Sequence, residues 1–144
     1  MSMFAREELI RALCAAYGPS GREDEVRALI HETLDDVADE WLEDGLGSLI
    51  AVRHGDGPRI MLSAHIDQIG LMVRYIEETG FLRVTPVGGM RPAHGVPMRF
   101  ASGLAACLCR EDKEGAAAGI EKYYLDIGAK DRAEAEKLMS IGDV

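Results

Sequence analysis

Gly57-Pro58-Arg59-Ile60-Met61-Leu62-Ser63-Ala64-His65-Ile66-Asp67 is the stretch on which the fold turns. Arg59 to Ala64 is a nearly continuous apolar run that follows a Gly-Pro turn signal. Such a run predicts a buried strand covered on both faces, as in an α/β sheet. It ends directly in His65 and Asp67. In open α/β sheets, ligand sites form just beyond the carboxyl ends of strands. Imidazole is a common metal ligand, and a carboxylate two residues away is placed to orient a metal-bound histidine. By spacing alone the signal is weak, and the pair reads more readily as a strand-end histidine hydrogen-bonded to a nearby turn, because the further ligands that a metal needs are not marked.

Upstream, the periodicity is helical. Leu9, Leu13 and Ala16, with Ile10 and Tyr17 beside them, predict a helix over Phe4 to Tyr17. Gly18-Pro19-Ser20-Gly21 stops it. Ser20, with Glu23 three residues on, has the spacing of a capping box for a second helix over Arg22 to Val37. The inner face expected for that helix is Val26, Leu29, Ile30, Leu34 and Val37. Glu40 to Glu43 and Ser48 to Arg53 read as short strands around the turn Asp44-Gly45-Leu46-Gly47.

Downstream, the texture is all-β. Ile69 to Ile76 and Phe81 to Val87 flank the hairpin turn Glu78-Thr79-Gly80. Met98 to Arg110 offers one or two further strands, Glu111 to Gly119 a loop, and Tyr123 to Ile127 another strand. A short helix over Asp131 to Met139 takes Asp131 as N-cap. The shift in composition near residues 67–70 predicts two domains, residues 1–69 and 70–144. Ile141-Gly142-Asp143-Val144 reads as a turn into a strand that does not follow, so the chain is expected to be truncated, through a split or frameshifted gene or a choice of boundaries.

Composition excludes several classes. The 144 residues carry 16 Lys and Arg against 25 Asp and Glu, a formal charge of −9. That acidity argues against nucleic acid and against anionic membrane surfaces as partners. No apolar run approaches the ~20 residues that cross a bilayer, and Met1 to Ala5 leads into Arg6-Glu7-Glu8 rather than a signal peptide. A cytoplasmic protein is expected. Three cysteines do not make a disulfide framework. Cys14 is expected as a small core residue. Cys107 and Cys109 form C-x-C on a strand, pointing to one face, and lack the partners of a four-ligand structural zinc site.

Gly18 to Arg27, Asp44 to Ala51, Gly57 to Val73, Gly80 to Val84, Val87-Gly88-Gly89 and Leu125 to Ala129 occur in order. This succession closely resembles the tetrahedral aminopeptidase family, self-compartmentalising dinuclear zinc or cobalt peptidases, some labelled glutamyl aminopeptidase, endoglucanase or cellulase. The resemblance implies an α/β catalytic domain, present here as its N-terminal portion, followed by a small PDZ-like β-barrel dimerisation domain, here incomplete. It implies that His65 ligates one of two divalent metals and that Asp67 hydrogen-bonds its other nitrogen. It implies peptide substrates and a homo-oligomer built from dimers.

The departures are specific. The family's bridging aspartate, its Glu-Glu pair, its further carboxylate ligand and its last histidine follow the inserted domain and have no counterpart here. Gln68 stands where glutamate is frequent, Ser48 where asparagine is usual, and Phe100 to Glu121 reads as shortened. One histidine and one carboxylate do not hold two metals, so the chain alone is expected to be inactive, or completed by a second polypeptide, or to serve as a non-catalytic oligomerisation module. A sheet lacking its later strands presents open edges and apolar faces, so self-association with strand exchange is expected.

Other residues read as structural. His31 falls on a charged helix face, His54 in a turn and His94 on a loop. Glu77-Glu78 sit at a hairpin tip, Asp126 is exposed or caps a loop, and Trp41 packs. Val87-Gly88-Gly89 supplies backbone freedom for a bend and not a phosphate loop.

Overall fold

The computed structural model describes residues 3–111 and 119–144, so most of the expected loop over Glu111 to Gly119 lies outside the described residues. The chain separates into two compact units, Met1–Asp67 and Gln68–Val144.

The first unit contains α1 (Met3–Ala15), α2 (Asp24–Leu34) and a hairpin of β1 (Glu40–Glu43) and β2 (Leu49–Val52). The hairpin register pairs Trp41 with Ala51 and Leu42 with Ile50. Its turn is organised by Asp44, whose carboxylate accepts from the backbone N–H groups of Leu46 and Ser48 at 2.9 and 2.8 Å. Those bonds, Ser48 first, hold the Asp44 carboxyl below the usual carboxylate range. Arg27 on α2 ties the helix to the hairpin, through Glu43 at 2.7 Å and the carbonyl of Gly47. His31 stacks on Trp41 with ring centroids 4.2 Å apart, so it is exposed yet engaged. The indole Nε1 of Trp41 is buried and has no hydrogen-bond partner.

Three expectations are corrected in this unit. Arg59 to Ala64 forms no strand, and Ile60, Met61 and Leu62 are 81%, 87% and 94% exposed. An apolar run becomes a buried strand only where a neighbouring strand takes its backbone groups, and none of the described residues does so. The inner face of α2 is buried at Val26 and only half-buried at Leu29 and Ile30, with Leu34 exposed and Val37 exposed beyond the helix end. Cys14, expected in a core, is exposed. All three have one cause: the unit carries apolar faces with too little of its own structure to cover them.

The second unit is a five-stranded antiparallel sheet with strand order β3-β4-β7-β6-β5. The strands are β3 (Gly70–Ile76), β4 (Leu82–Val87), β5 (Val96–Arg99), β6 (Ala105–Arg110) and β7 (Tyr123–Asp126). Helix α3 (Arg132–Leu138) packs on the core through Ala135. Alternation builds this core directly. Leu82, Leu125 and Leu108 stand in register across three strands, Leu125 facing each of the others, and all are essentially inaccessible to solvent. Each such leucine contributes about 1.5–3 kcal/mol of burial. Val73, Val84, Tyr123 and Phe100 complete the layer.

The β3–β4 register shifts between Val73 and Tyr75. On its other edge, Val73 donates to the carbonyl of Asp143 and accepts from the N–H of Gly142, each at 2.8 Å. The expected turn at Ile141 to Val144 is thus pinned to an edge strand. Glu78-Thr79-Gly80 is a turn, with Gly80 at φ 85° and its N–H bonded to Glu77. A side chain at Gly80 would stand 2.6 Å from the carbonyl oxygen of Ala129, so glycine is required there twice over. Among the described residues no helix is long and apolar enough to cross a membrane.

Candidate metal centre

His65 and Asp67 follow the unpaired segment, and the structure joins them directly. Nδ1 of His65 lies 2.8 Å from Oδ1 of Asp67 and 3.2 Å from its backbone carbonyl. Both neighbours are acceptors, so Nδ1 carries the proton and donates. The lone pair then resides on Nε2. The His65 side chain is 86% exposed, and Nε2 meets no hydrogen-bond partner among the described residues. A histidine fixed at one nitrogen and open at the other has the form of a metal ligand with an orienting carboxylate behind it.

A third residue completes the arrangement. The hydroxyl of Ser20 donates to Oδ2 of Asp67 at 2.5 Å. Its expected role as an N-cap is therefore corrected: α2 begins at Asp24, its N-cap position is Glu23, and no side-chain cap bond is made. Glu23 instead accepts from the N–H of Gly21 at 2.7 Å. The turn presenting Ser20 is closed by Arg22 N–H donating to Pro19 at 2.8 Å, with Gly21 at φ 83°. Gly18 lets this turn sit against α2, since a Cβ there would fall 2.5 Å from Cγ2 of Val26 and 3.9 Å from the carbonyl oxygen of Ile66.

The Ser20 hydroxyl, and then the His65 ring, hold the Asp67 carboxyl below the ordinary carboxylate value. Asp67 is thereby kept anionic, the form that accepts from His65. The sequence did carry a signal for Ser20, its place within the ordered Gly18-Pro19-Ser20-Gly21 segment, but capping explained that serine more cheaply.

The remaining histidines do not join His65. His54 lies 3.6 Å from Glu40, and Nδ1 of His94 accepts from the N–H of Arg110 at 3.2 Å. Glu77 and Glu78 are engaged by Arg83 and Arg132 at 2.5 and 3.1 Å. Asp126 caps a loop, accepting from Gly128 N–H at 2.8 Å. Among the described residues no group of three or more His, Cys, Asp or Glu side chains is placed to hold a metal ion. The residues present therefore fit one ligand and its support.

Comparisons with known proteins agree on the family. The family model described as M42 glutamyl aminopeptidase matches residues 47–144. A putative aminopeptidase of Acetivibrio thermocellus is 40% identical over 141 residues, which are 95% of this chain and 43% of the relative. The crystal structure of a TET aminopeptidase from a marine sediment archaeon of the Thaumarchaeota superposes with a TM-score of 0.83 at 30% identity, over 95% of this chain and 43% of that one. A TET1 peptidase of Pyrococcus horikoshii, described as assembling into a tetrahedron or a large octahedral shell, superposes at 0.81 with 26% identity, over 95% and 44% of the two chains. This chain thus has the α/β fold of the N-terminal part of such enzymes and spans less than half of their length.

Proposed function

Because the chain belongs to the M42 glutamyl aminopeptidase family, we propose that it supplies the N-terminal part of a metal-dependent aminopeptidase acting on peptides. His65 is one ligand of a dinuclear zinc or cobalt centre, through Nε2. The observation that carries this reading is the 2.8 Å contact between His65 Nδ1 and Asp67 Oδ1, which leaves Nε2 as the free donor atom. Asp67 fixes the tautomer and raises the basicity of the ring, and Ser20 holds the second oxygen of Asp67. When bound, the divalent metals supply Lewis acidity toward a peptide carbonyl. A catalytic metal takes about three protein ligands, and the described residues bring one, so the chain alone is inactive and the remaining ligands come from further polypeptide.

A second reading is favoured by one observation: Gln68–Val144 has a hydrophobic core of its own. We read this unit as a PDZ-like dimerisation domain, which by itself would make the chain an oligomerisation module. The assembly described for the Pyrococcus horikoshii peptidase supports the oligomeric part of that reading.

One experiment separates the two. The chain is mixed with a polypeptide corresponding to the rest of the family's length, then assayed with zinc or cobalt and aminoacyl-nitroanilides. The first reading expects no turnover by the chain alone, turnover and metal in the mixed complex, and loss of both with His65→Ala. Full activity of the His65→Ala complex, or robust turnover by the chain alone, overturns it. A metal-free homo-oligomer that ignores the second polypeptide establishes the module instead.

A further inference from the structure

Strand β6 separates two kinds of side chain. Ala106 and Leu108 enter the core, while Cys107 and Cys109 turn to the opposite face, half-buried and unbridged. β6 is an interior strand, laddered to β5 and to β7. Asp126 stands opposite Cys107, and Tyr124 opposite Cys109. The two thiols stand two residues apart on the same face of the strand, with the Tyr124 ring as the cross-strand neighbour of Cys109. Tyr124 is itself held by Phe81, with ring centroids 4.4 Å apart.

Two sulfurs on a doubly paired strand are preorganised, but poorly placed for a direct bond. Residues two apart on a strand are separated by roughly 6.6 Å at Cα. That is the far limit of disulfide geometry, whose preferred Cα separation is about 5.5–6 Å. Closing the gap means contracting a strand whose ladders on both sides resist it. An atom inserted between the sulfurs removes the strain. Among the described residues no third His, Cys, Asp or Glu completes a metal-holding group, so four-coordinate zinc is not served. Thiolates select soft ions, copper(I) among them.

We propose that Cys107 and Cys109 form a two-sulfur clamp for a soft monovalent cation of the copper(I) class. Binding breaks two S–H bonds and forms two sulfur–metal bonds. Both protons pass to solvent, and no electron is transferred. The neighbouring ring of Tyr124 shields one side of the clamp, and the site is independent of the aminopeptidase reading.

The test titrates the reduced full chain with copper(I), delivered anaerobically from a colorimetric chelator. One equivalent binds in competition with the chelator. Cys107→Ser and Cys109→Ser each weaken binding by at least about 100-fold, the upper end of the loss seen when only a supporting group is removed. Cys14→Ser leaves it unchanged. In the unmodified chain, where no substitution disturbs folding, copper(I) protects Cys107 and Cys109 from iodoacetamide while Cys14 is alkylated. Unaltered affinity in the Cys107→Ser/Cys109→Ser double variant overturns the proposal, as does equal alkylation of all three thiols with copper(I) present.

Discussion

The hydroxyl of Ser20 donates to Oδ2 of Asp67 at 2.5 Å, across 47 positions of sequence. Through Asp67 it acts on His65, whose Nδ1 is bonded to the other carboxylate oxygen. A turn between two helices thereby fixes the orientation of an imidazole on a distant segment. Serine supplies a donor of the right length there, and alanine supplies none.

Ser20→Ala is expected to raise the Asp67 carboxyl toward its ordinary value, because the largest influence lowering it is this hydrogen bond. The folded-state value is depressed, so the stabilising contribution is present above the unfolded carboxylate value of about 3.9. It is lost as pH falls through the lower folded value. Side-chain carboxyl NMR titrations of the parent chain and the variant check this. Coincident titration curves for Asp67 in the two proteins would refute it.

Leu82→Ala and Leu62→Ala are expected to differ sharply in this chain. Leu82 is fully buried in the three-leucine row, while Leu62 is 94% exposed. The first costs about 3 kcal/mol of unfolding free energy for the second unit. The second stays within about 0.5 kcal/mol. Urea denaturation followed by fluorescence distinguishes them, and similar losses for both would show that the segment around Leu62 is covered in solution.

Arg83 lies between Glu77 and Glu111, and also reaches the carbonyls of Glu121 and Tyr123. It is only 20% exposed, so its partners lose more than a surface pair would. Arg83→Ala is expected to destabilise by about 1–2 kcal/mol, between the exposed and fully buried limits. Repeating the denaturation in high salt should narrow the gap between parent and variant; a gap that salt leaves unchanged would point to packing of the stem rather than charge.

Asp131 caps α3 by accepting from the N–H of Glu134 at 2.8 Å, and Glu134 returns a bond by accepting from Lys130 N–H at 3.0 Å. Asp131→Ala is expected to cost about 1 kcal/mol, and Asp131→Asn much less. Hydrogen exchange at Ala135 and Glu136 reads the effect locally; equal protection in the two variants would mean that the cap is idle.

The second unit was largely legible because its information is local. Turn residues at Gly80, alternation along β3, β4 and β7, and the Asp131 cap each act over a few positions. The site was half legible. His65 and Asp67 are two residues apart on the chain, so their partnership shows in the sequence; Ser20 reaches them only when a turn closes against Val26 and Ile66.

The ordered motifs of the sequence determined the family, and the sequence by itself determined the β3–β4 hairpin and the His65–Asp67 pair, since turn chemistry and short spacings act before the chain is packed. Tertiary structure decided what those signals became. Ser20 left helix capping for Asp67, and Arg59 to Ala64 remained an exposed, unpaired run although its pattern is that of a buried strand. The reason is that hydrophobicity sets which surface favours burial, whereas burial itself requires a second surface, and for this run none of the described residues provides it.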